Sequence, residues 1–366
     1  MAVTLEAHME SGRGFMIRTT FALLAGLALG AAALPAQAQQ SYPVPKGAPF
    51  THKHSGLKLP PTLQGMPMFA IREVAADQLD IFFNYEISGK NELISVYVYR
   101  QTAGGVPVWF DRARFAIENR PDVYGDVAAT PVSVFAPPGQ TNTSGLAIAY
   151  RVGKGPFRST GLALLPMGDW LVKVRYSSAS LDPDALAARL RALLGELTWP
   201  DAVPNGIAAL PVQPCATPLA LTGQARELKP DGAAVTADAI MSVPIIPDPK
   251  NPAATKPAPP PASWCLDSTR TRIGAVYRPG GDTASYLLTI NDAGRGLFVR
   301  PALSLKDEKP AWTIQLIETA RTINFLRHDR LPPPDQSISI AEAGRYGSVV
   351  STFGDSSISI NSEYLK

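Results

Sequence analysis

The chain has 366 residues, with 34 Lys and Arg against 31 Asp and Glu, for a formal charge of +3. A balance this close to neutral, with charges scattered rather than blocked, excludes a nucleic-acid-binding class recognised by charge. Proline is the compositional outlier: its 35 residues are about twice the usual share, and many fall in segments that read as rigid connections.

Residues 16–38 carry one early charge, Arg18, then an apolar run over 21–34, then Ala36-Gln37-Ala38. These are the parts of a secretory signal peptide, with cleavage expected after Ala38 so that Gln39 becomes the first mature residue. The run is shorter than the roughly 20 residues that span a bilayer, so no transmembrane anchor is expected after cleavage. No Cys follows the run as a lipid attachment site, and no Arg-Arg pair precedes it. Glu6 and Glu10 lie ahead of the charged region, which points to Met16 rather than Met1 as the translation start. The expected destination is the periplasm or the exterior of a bacterium.

Residues 49–200 read as an α+β domain. In 79–87, Leu79, Ile81, Phe83 and Tyr85 share one face and Asp80, Asn84 and Glu86 the other, the period of a strand. The run at 93–100 is β-branched and aromatic, and the turn residues 88–92 join the two as an antiparallel hairpin. At 107–119 the period lengthens, placing Trp109, Ala113, Phe115, Ala116 and Ile117 on one helical face. Two apolar runs, 145–152 and 159–165, form a second hairpin. Residues 170–176 alternate Leu171, Lys173 and Arg175 against Val172, Val174 and Tyr176, a strand with one buried face. A helix over 183–197 follows, with Asp182 as N-cap, Pro183 at its first position and a stripe of Leu186, Leu190, Leu193 and Leu197. The expectation is an antiparallel sheet with this long C-terminal helix packed on one face.

His54, Ser55-Gly56-Leu57, Pro60 and Gly65, followed by Val96-Tyr97-Val98-Tyr99, resemble a set of exported proteobacterial proteins of unknown function. Those open with a short His/Ser-Gly-Leu-Pro segment and continue into a similar strand, and Trp170-Leu171-Val172-Lys173-Val174-Arg175 resembles their penultimate strand. The resemblance covers the first domain. It implies the fold and the compartment and brings no catalytic residue with it.

Residues 201–218, rich in Pro and Ala, read as a linker to a second domain over 219–366, β-rich and again α+β. One or two strands are expected near 224–227 and 233–243. Residues 244–262 hold too many prolines for a helix or central strand and read as an extended surface loop. Strands follow at 273–278, 285–290 and 297–303, the last two joined by the turn Asn291-Asp292-Ala293-Gly294. Residues 312–327 read as strand then helix, and 337–341, 348–353 and 357–360 as short strands closing an antiparallel meander.

Cys215 and Cys265 are the two cysteines of the chain. In an oxidising compartment, with no His or second Cys at ligand spacing, they are expected to form a disulfide flanking the Pro-rich loop. Closing a loop of about 51 residues would contribute roughly 4 kcal/mol in the chain-entropy picture.

Few groups suit catalysis. His52-Lys53-His54 would put two imidazoles on one face of a surface strand, but two ligands do not make a metal site, and no cofactor is expected. Gly354-Asp355-Ser356 with His328 and Asp329 superficially suggests a serine hydrolase, yet no Gly-x-Ser-x-Gly elbow exists and a turn explains Gly354-Asp355. The favoured class is therefore a non-enzymatic exported module that binds an envelope ligand or a protein partner. The competing class is a hydrolase of an envelope polymer, using Ser356, His328 or scattered carboxylates. Export itself is directly testable: Edman sequencing should find Gln39 at the N-terminus of the exported protein, and a start at any residue upstream of position 16 would refute this reading of the signal.

Overall fold

The computed structural model describes residues 40–243, 263–303, 309–355 and 357–364. The signal residues Ala36, Ala38 and Gln39, the Pro-rich stretch 244–262 and Ser356 lie outside them.

The chain opens with short strands β1 (Gln40–Tyr42), β2 (Phe50–Thr51), β3 (Lys58–Leu59) and β4 (Thr62–Leu63). The long strands β5 (Met66–Ala75), β6 (Asp80–Ile87) and β7 (Glu92–Arg100) follow. Helix α1 (Gly105–Glu118), the single turn α2 (Pro121–Tyr124), β8 (Val127–Ala129) and β9 (Ser133–Phe135) come next. Strands β10 (Gly145–Val152), β11 (Ser159–Met167) and β12 (Trp170–Ser178) then lead into α3 (Pro183–Leu194). The first sheet runs β1-β5-β6-β7-β12-β11-β10-β8, with β4 on β5 and β9 on β10, and each of these pairings is antiparallel.

The second part comprises β13 (Gln213–Pro214), α4 (Gly232–Ile240), β14 (Trp264–Arg270), β15 (Ala275–Pro279), β16 (Tyr286–Ile290) and β17 (Arg295–Pro301). It continues through β18 (Trp312–Ile317), β19 (Arg321–Phe325), α5 (Pro334–Ala343), β20 (Tyr346–Ser351) and β21 (Ile358–Ile360). Its sheet follows chain order from β13 to β21, an antiparallel meander except for the parallel β13–β14 edge. The architecture is thus two large, mostly antiparallel sheets and a small β2–β3 ribbon, with few helices, and among the described residues no helix is long and apolar enough to cross a membrane.

Both faces of the first sheet are covered in its middle, so β11 is buried at every position. On one face Ile81, Phe83, Val96, Val172 and Val174 share a core with Leu186, Leu190, Leu193 and Leu194 of α3. Asp182 caps α3, its carboxylate accepting from the Ala185 N–H. The helix stops at Leu194, a turn short of expectation, where the Trp199 indole donates to the Leu194 carbonyl; Leu197 is buried beyond its end. The contact with the sheet is close: a Cβ on Gly161 would stand 2.6 Å from Leu190 Cδ1 and 3.2 Å from the Ile148 carbonyl oxygen.

On the opposite face Trp109, Phe110, Ala113 and Ile117 of α1 pack with Tyr99, Ile148, Leu162, Leu164 and Leu171. Val108 points the other way and joins Tyr277 and Leu287 of the second sheet. Helix α1 is therefore shared by both sheets, and the described residues belong to one compact unit. Phe115, assigned above to the buried face, is 50% exposed and lies under the Arg112 guanidinium instead. Of residues 201–218, the first part runs against the loop before β10, where the Asn205 side chain accepts from the Thr141 N–H and the Gly206 N–H donates to Gln140, and Gln213–Pro214 then pair with the second sheet.

Four secondary-structure expectations are corrected. Residues 233–243 are not a strand: Asp231 caps α4 and Ala-rich helix propensity prevails. Residues 312–327 are not strand then helix but the hairpin β18–β19, because Ile314, Leu316 and Phe325 enter the second core. Residues 337–341 lie in α5, which Pro334 starts at its first position and Gly344, at φ 69°, ends. Strand 170–176 is buried on both faces rather than one, since Lys173 is covered. Strands β5 and β14 were not anticipated, and the pairing of each is broken by register shifts.

Leu190→Ala should lower stability by about 2–5 kcal/mol, the usual cost of a cavity at a fully buried leucine. Urea unfolding of the two proteins measures this, and Gly161→Ala should destabilise as well by forcing α3 away from the sheet.

Candidate functional site

The polar and aromatic groups that are hardest to explain as ordinary core or surface converge where the two sheets meet. On one side of the first sheet, at this junction, His52 is buried in a turn, not in the surface strand expected from its spacing. Its Nε2 lies 2.9 Å from the Gln78 carbonyl, which only accepts, so that nitrogen carries the proton. Its Nδ1 then accepts from the Ser55 hydroxyl at 2.8 Å and the Ser55 N–H at 3.2 Å. Burial lowers the His52 pKa and His54 reinforces this against the Gln78 bond, so the ring is neutral and structural.

His54 is half-buried and faces outward to a different set. Its Nε2 donates to the Asp77 carboxylate at 3.0 Å and to the Asp77 carbonyl at 2.9 Å. The imidazole stacks parallel to Trp170 with centroids 6.0 Å apart and meets the edge of Phe353 at 4.8 Å. Asp77 also pairs with Lys53, whose ammonium opposes a metal cation at that carboxylate. The turn presenting Asp77 is strained: Asp77 and Gln78 are consecutive non-glycine residues at φ 60° and 58°. Their backbone is held by His52, by Gln78 Oε1 accepting from the Lys53 N–H, and by the buried Glu73 carboxylate accepting from the Gln78 N–H.

The second sheet completes this side. Arg100, at the end of β7, donates to the Thr319 carbonyl at 2.7 Å and to the Thr352 hydroxyl at 3.1 Å, and its guanidinium lies 5.2 Å from the Phe353 ring centroid. Phe353 thus belongs to the second sheet's loop yet packs among residues of the first.

On the other face, Lys173 is only 2% exposed along its side chain. Its ammonium donates to Asp292 Oδ2 at 2.8 Å and to the Asp292 carbonyl at 3.3 Å, and stands 4.5 Å from the Tyr97 ring centroid. Asp292 belongs to the β16–β17 turn, so the ion pair bridges the sheets. Burial would raise the Asp292 carboxyl, but Lys173, with Arg175 and Arg112 behind it, holds it below the ordinary range. Asp80, the cross-strand neighbour of Tyr99, is buried nearby and has no such partner: burial pushes its pKa up to about 7, with Lys173 lowering and Asp292 raising it. The Tyr99 hydroxyl is buried with no hydrogen-bond partner among the described residues, and burial together with Asp292 and Asp80 raises its pKa. Further bonds tie this edge, from Thr102 to the Gly294 carbonyl at 2.6 Å and from Tyr277 to Asp111 at 2.7 Å.

The residues singled out from sequence fare differently. Cys215 and Cys265 form a disulfide, with Cα atoms 4.9 Å apart. His328 is buried and donates from Nδ1 to the Leu326 carbonyl at 3.0 Å. Asp329 is held by Arg330 and accepts from the Arg226 N–H. These groups have backbone and ion-pair duties, and Ser356 lies outside the described residues. Among the described residues no group of three or more His, Cys, Asp and Glu is placed to hold a metal ion. Sequence spacing missed the grouping of Asp77, Arg100 and Phe353 on one face and of Lys173, Asp80 and Asp292 on the other; the one available signal was Lys173, with Arg175, in a strand rich in apolar residues. A surface depression lined by Glu118, Asn119, Asp126 and Tyr150 stands apart, and within its lining the Tyr150 hydroxyl donates to Glu118 at 2.9 Å. No family model, no curated protein and no solved structure matches the chain.

The raised carboxyl of Asp80 has a consequence for stability. A folded-state pKa of about 7 against an ordinary 3.8 means that the folded protein binds this proton more tightly than the unfolded chain. The Asp80 contribution is then fully favourable below the unfolded value and is lost as pH rises through the folded one. Urea midpoints at pH 5 and pH 8 should fall with pH more steeply in the wild type than in Asp80→Asn; equal slopes would contradict the assignment.

Proposed function

We infer that this chain is an exported protein of the bacterial envelope, periplasmic or secreted, that works as a non-enzymatic binding module. Its ligand, an envelope component or a protein partner, engages the crevice between the sheets around His54, Trp170 and Phe353. The observation that carries this reading is the strained turn at Asp77-Gln78, held by buried polar contacts so that Asp77 meets half-buried His54, whose ring packs on the half-buried Phe353 of the second sheet's loop and the buried Trp170 of the first sheet. Backbone strain held in place by surrounding contacts is a mark of positions kept for a purpose beyond packing. Aromatic rings beside a carboxylate and a guanidinium offer apolar area with oriented polar groups, the usual makeup of a recognition site. The disulfide and the signal-like 16–38 segment support the compartment, as disulfides persist in oxidising surroundings. The resemblance of the His54-Ser55-Gly56-Leu57 segment to exported proteobacterial proteins adds to the same reading.

The hydrolase alternative draws less support, because His328 and Asp329 are engaged by backbone and Arg330. The discriminating experiment immobilises the mature protein and a His54→Ala/Phe353→Ala variant and challenges both with periplasmic extract and with isolated cell-wall sacculi. A species retained by the wild type and lost from the variant, with melting temperatures within a few degrees, is the expected result. Equal retention, or none, would sink the binding reading, and release of soluble wall fragments would favour the hydrolase.

A further inference from the structure

The disulfide lies at the edge of the second sheet, where β13 is the outermost strand and pairs with β14 over only two residues. Both cysteines are half-buried rather than sealed in. Arg278 of β15, the register partner of Cys265, lies beneath them and is fully buried. Its Nε points at Cys215 Sγ, 3.1 Å away, and one terminal nitrogen donates to the Thr217 carbonyl. The other terminal nitrogen, Nη1, is buried and finds no acceptor among the described residues. Asp267 shares the guanidinium through Oδ2 at 3.3 Å, a longer contact than the one to sulfur, while its Oδ1 is occupied by the Thr269 N–H and hydroxyl.

A guanidinium keeps its charge in a protein. A disulfide sulfur is a weak acceptor, whereas a thiolate in the same place would receive a charge-assisted bond. The arrangement therefore favours a thiolate at Cys215 over the bonded sulfur now there, and a stabilised thiolate is the better leaving group in exchange. The fully buried Arg278, with donor capacity to spare, makes the two sulfurs inequivalent.

We propose that Cys215–Cys265 is a site of thiol–disulfide exchange with a dithiol reductant, attacked at Cys265 and releasing Cys215. The reductant's thiolate forms a new S–S bond to Cys265 Sγ, and the electron pair of the old bond leaves on Cys215 as a thiolate held by Arg278. The second thiol of the reductant, once deprotonated, attacks its own sulfur in the mixed disulfide and expels Cys265 as a thiolate, which takes up a proton. Two electrons pass from dithiol to protein, and the reductant departs as a disulfide. This proposal stands apart from the binding reading, since it involves none of the residues at the crevice.

The test uses the oxidised mature protein with a small excess of reduced glutathione as a monothiol probe, quenched early so that the mixed disulfide is trapped before a second thiol resolves it. Free thiols are trapped with N-ethylmaleimide, and the adducts are mapped by mass spectrometry. Glutathione should be found on Cys265 and maleimide on Cys215, with at least about a fivefold preference over the reverse pattern. A preference for Cys215, equal labelling, or the lack of any adduct would each overturn the proposal. In Cys265→Ser, the Cys215 thiol should be alkylated by iodoacetamide with a pH midpoint below the roughly 8.5 of a free cysteine, and Arg278→Met should raise it. The mapping on the wild type stands by itself should either variant fail to fold.

Discussion

Helix α1 is buried from two sides, and much of the arrangement follows from that constraint. Trp109, Phe110, Ala113 and Ile117 need the first sheet, while Val108 needs Tyr277 and Leu287 of the second. A helix with apolar residues on opposite flanks cannot satisfy both against a single sheet, so the second sheet is drawn against the first. Once it is there, groups that would otherwise lie in water are covered. Lys173 is the clearest of them: enclosed by the approach of the β16–β17 turn, its ammonium needs a counter-charge, and Asp292 on that turn supplies it. Thr102, Arg112 and Arg100 add hydrogen bonds to backbone carbonyls along the same line.

Covering polar groups leaves residues whose surroundings are not neutral. Asp80 is buried near Lys173, but the shorter contact of that lysine goes to Asp292, so Asp80 retains its proton to near neutral pH. The Tyr99 hydroxyl beside it is buried without a partner among the described residues. On the other face the double left-handed turn at Asp77-Gln78 is held by His52, Lys53 and Glu73, and it sets Asp77 against His54. These positions depart from ordinary packing, and they coincide with the line where the sheets meet. Rigid strands fix the polar groups along this line, while side chains from both sheets surround them.

The sequence legibly carried the strands whose period was simple. Residues 79–87, 93–100, 145–152 and 159–165 alternate or run apolar, and they form β6, β7, β10 and β11. The Asp182-Pro183 start of α3 was equally readable, because a cap and a proline at the first position act locally. Where local signals competed, tertiary packing decided. Residues 337–341 alternate like a strand, yet Pro334 and Gly344 bound a helix there; residues 320–327 can be spaced as a helix, yet pairing with β18 and β20 makes them β19. Strand β5, whose alternation is broken by register shifts, acquires its identity from its neighbours β1 and β6 rather than from its own pattern.

By itself the sequence determined the elements with strong periodicity, the availability of two cysteines for each other and the segment that points to export, since each depends on residues close in the chain or on a choice of one partner. Only the tertiary structure decided which charges are buried and which side chains meet. Asp77 lies 23 positions from His54 and Asp292 lies 119 from Lys173. Electrostatic environment depends on distance and on the exclusion of water, and neither can be read along the chain. The lysine in strand 170–176 therefore looks like a solvated face in sequence and proves, once the second sheet closes over it, to be a buried charge pinned to its partner.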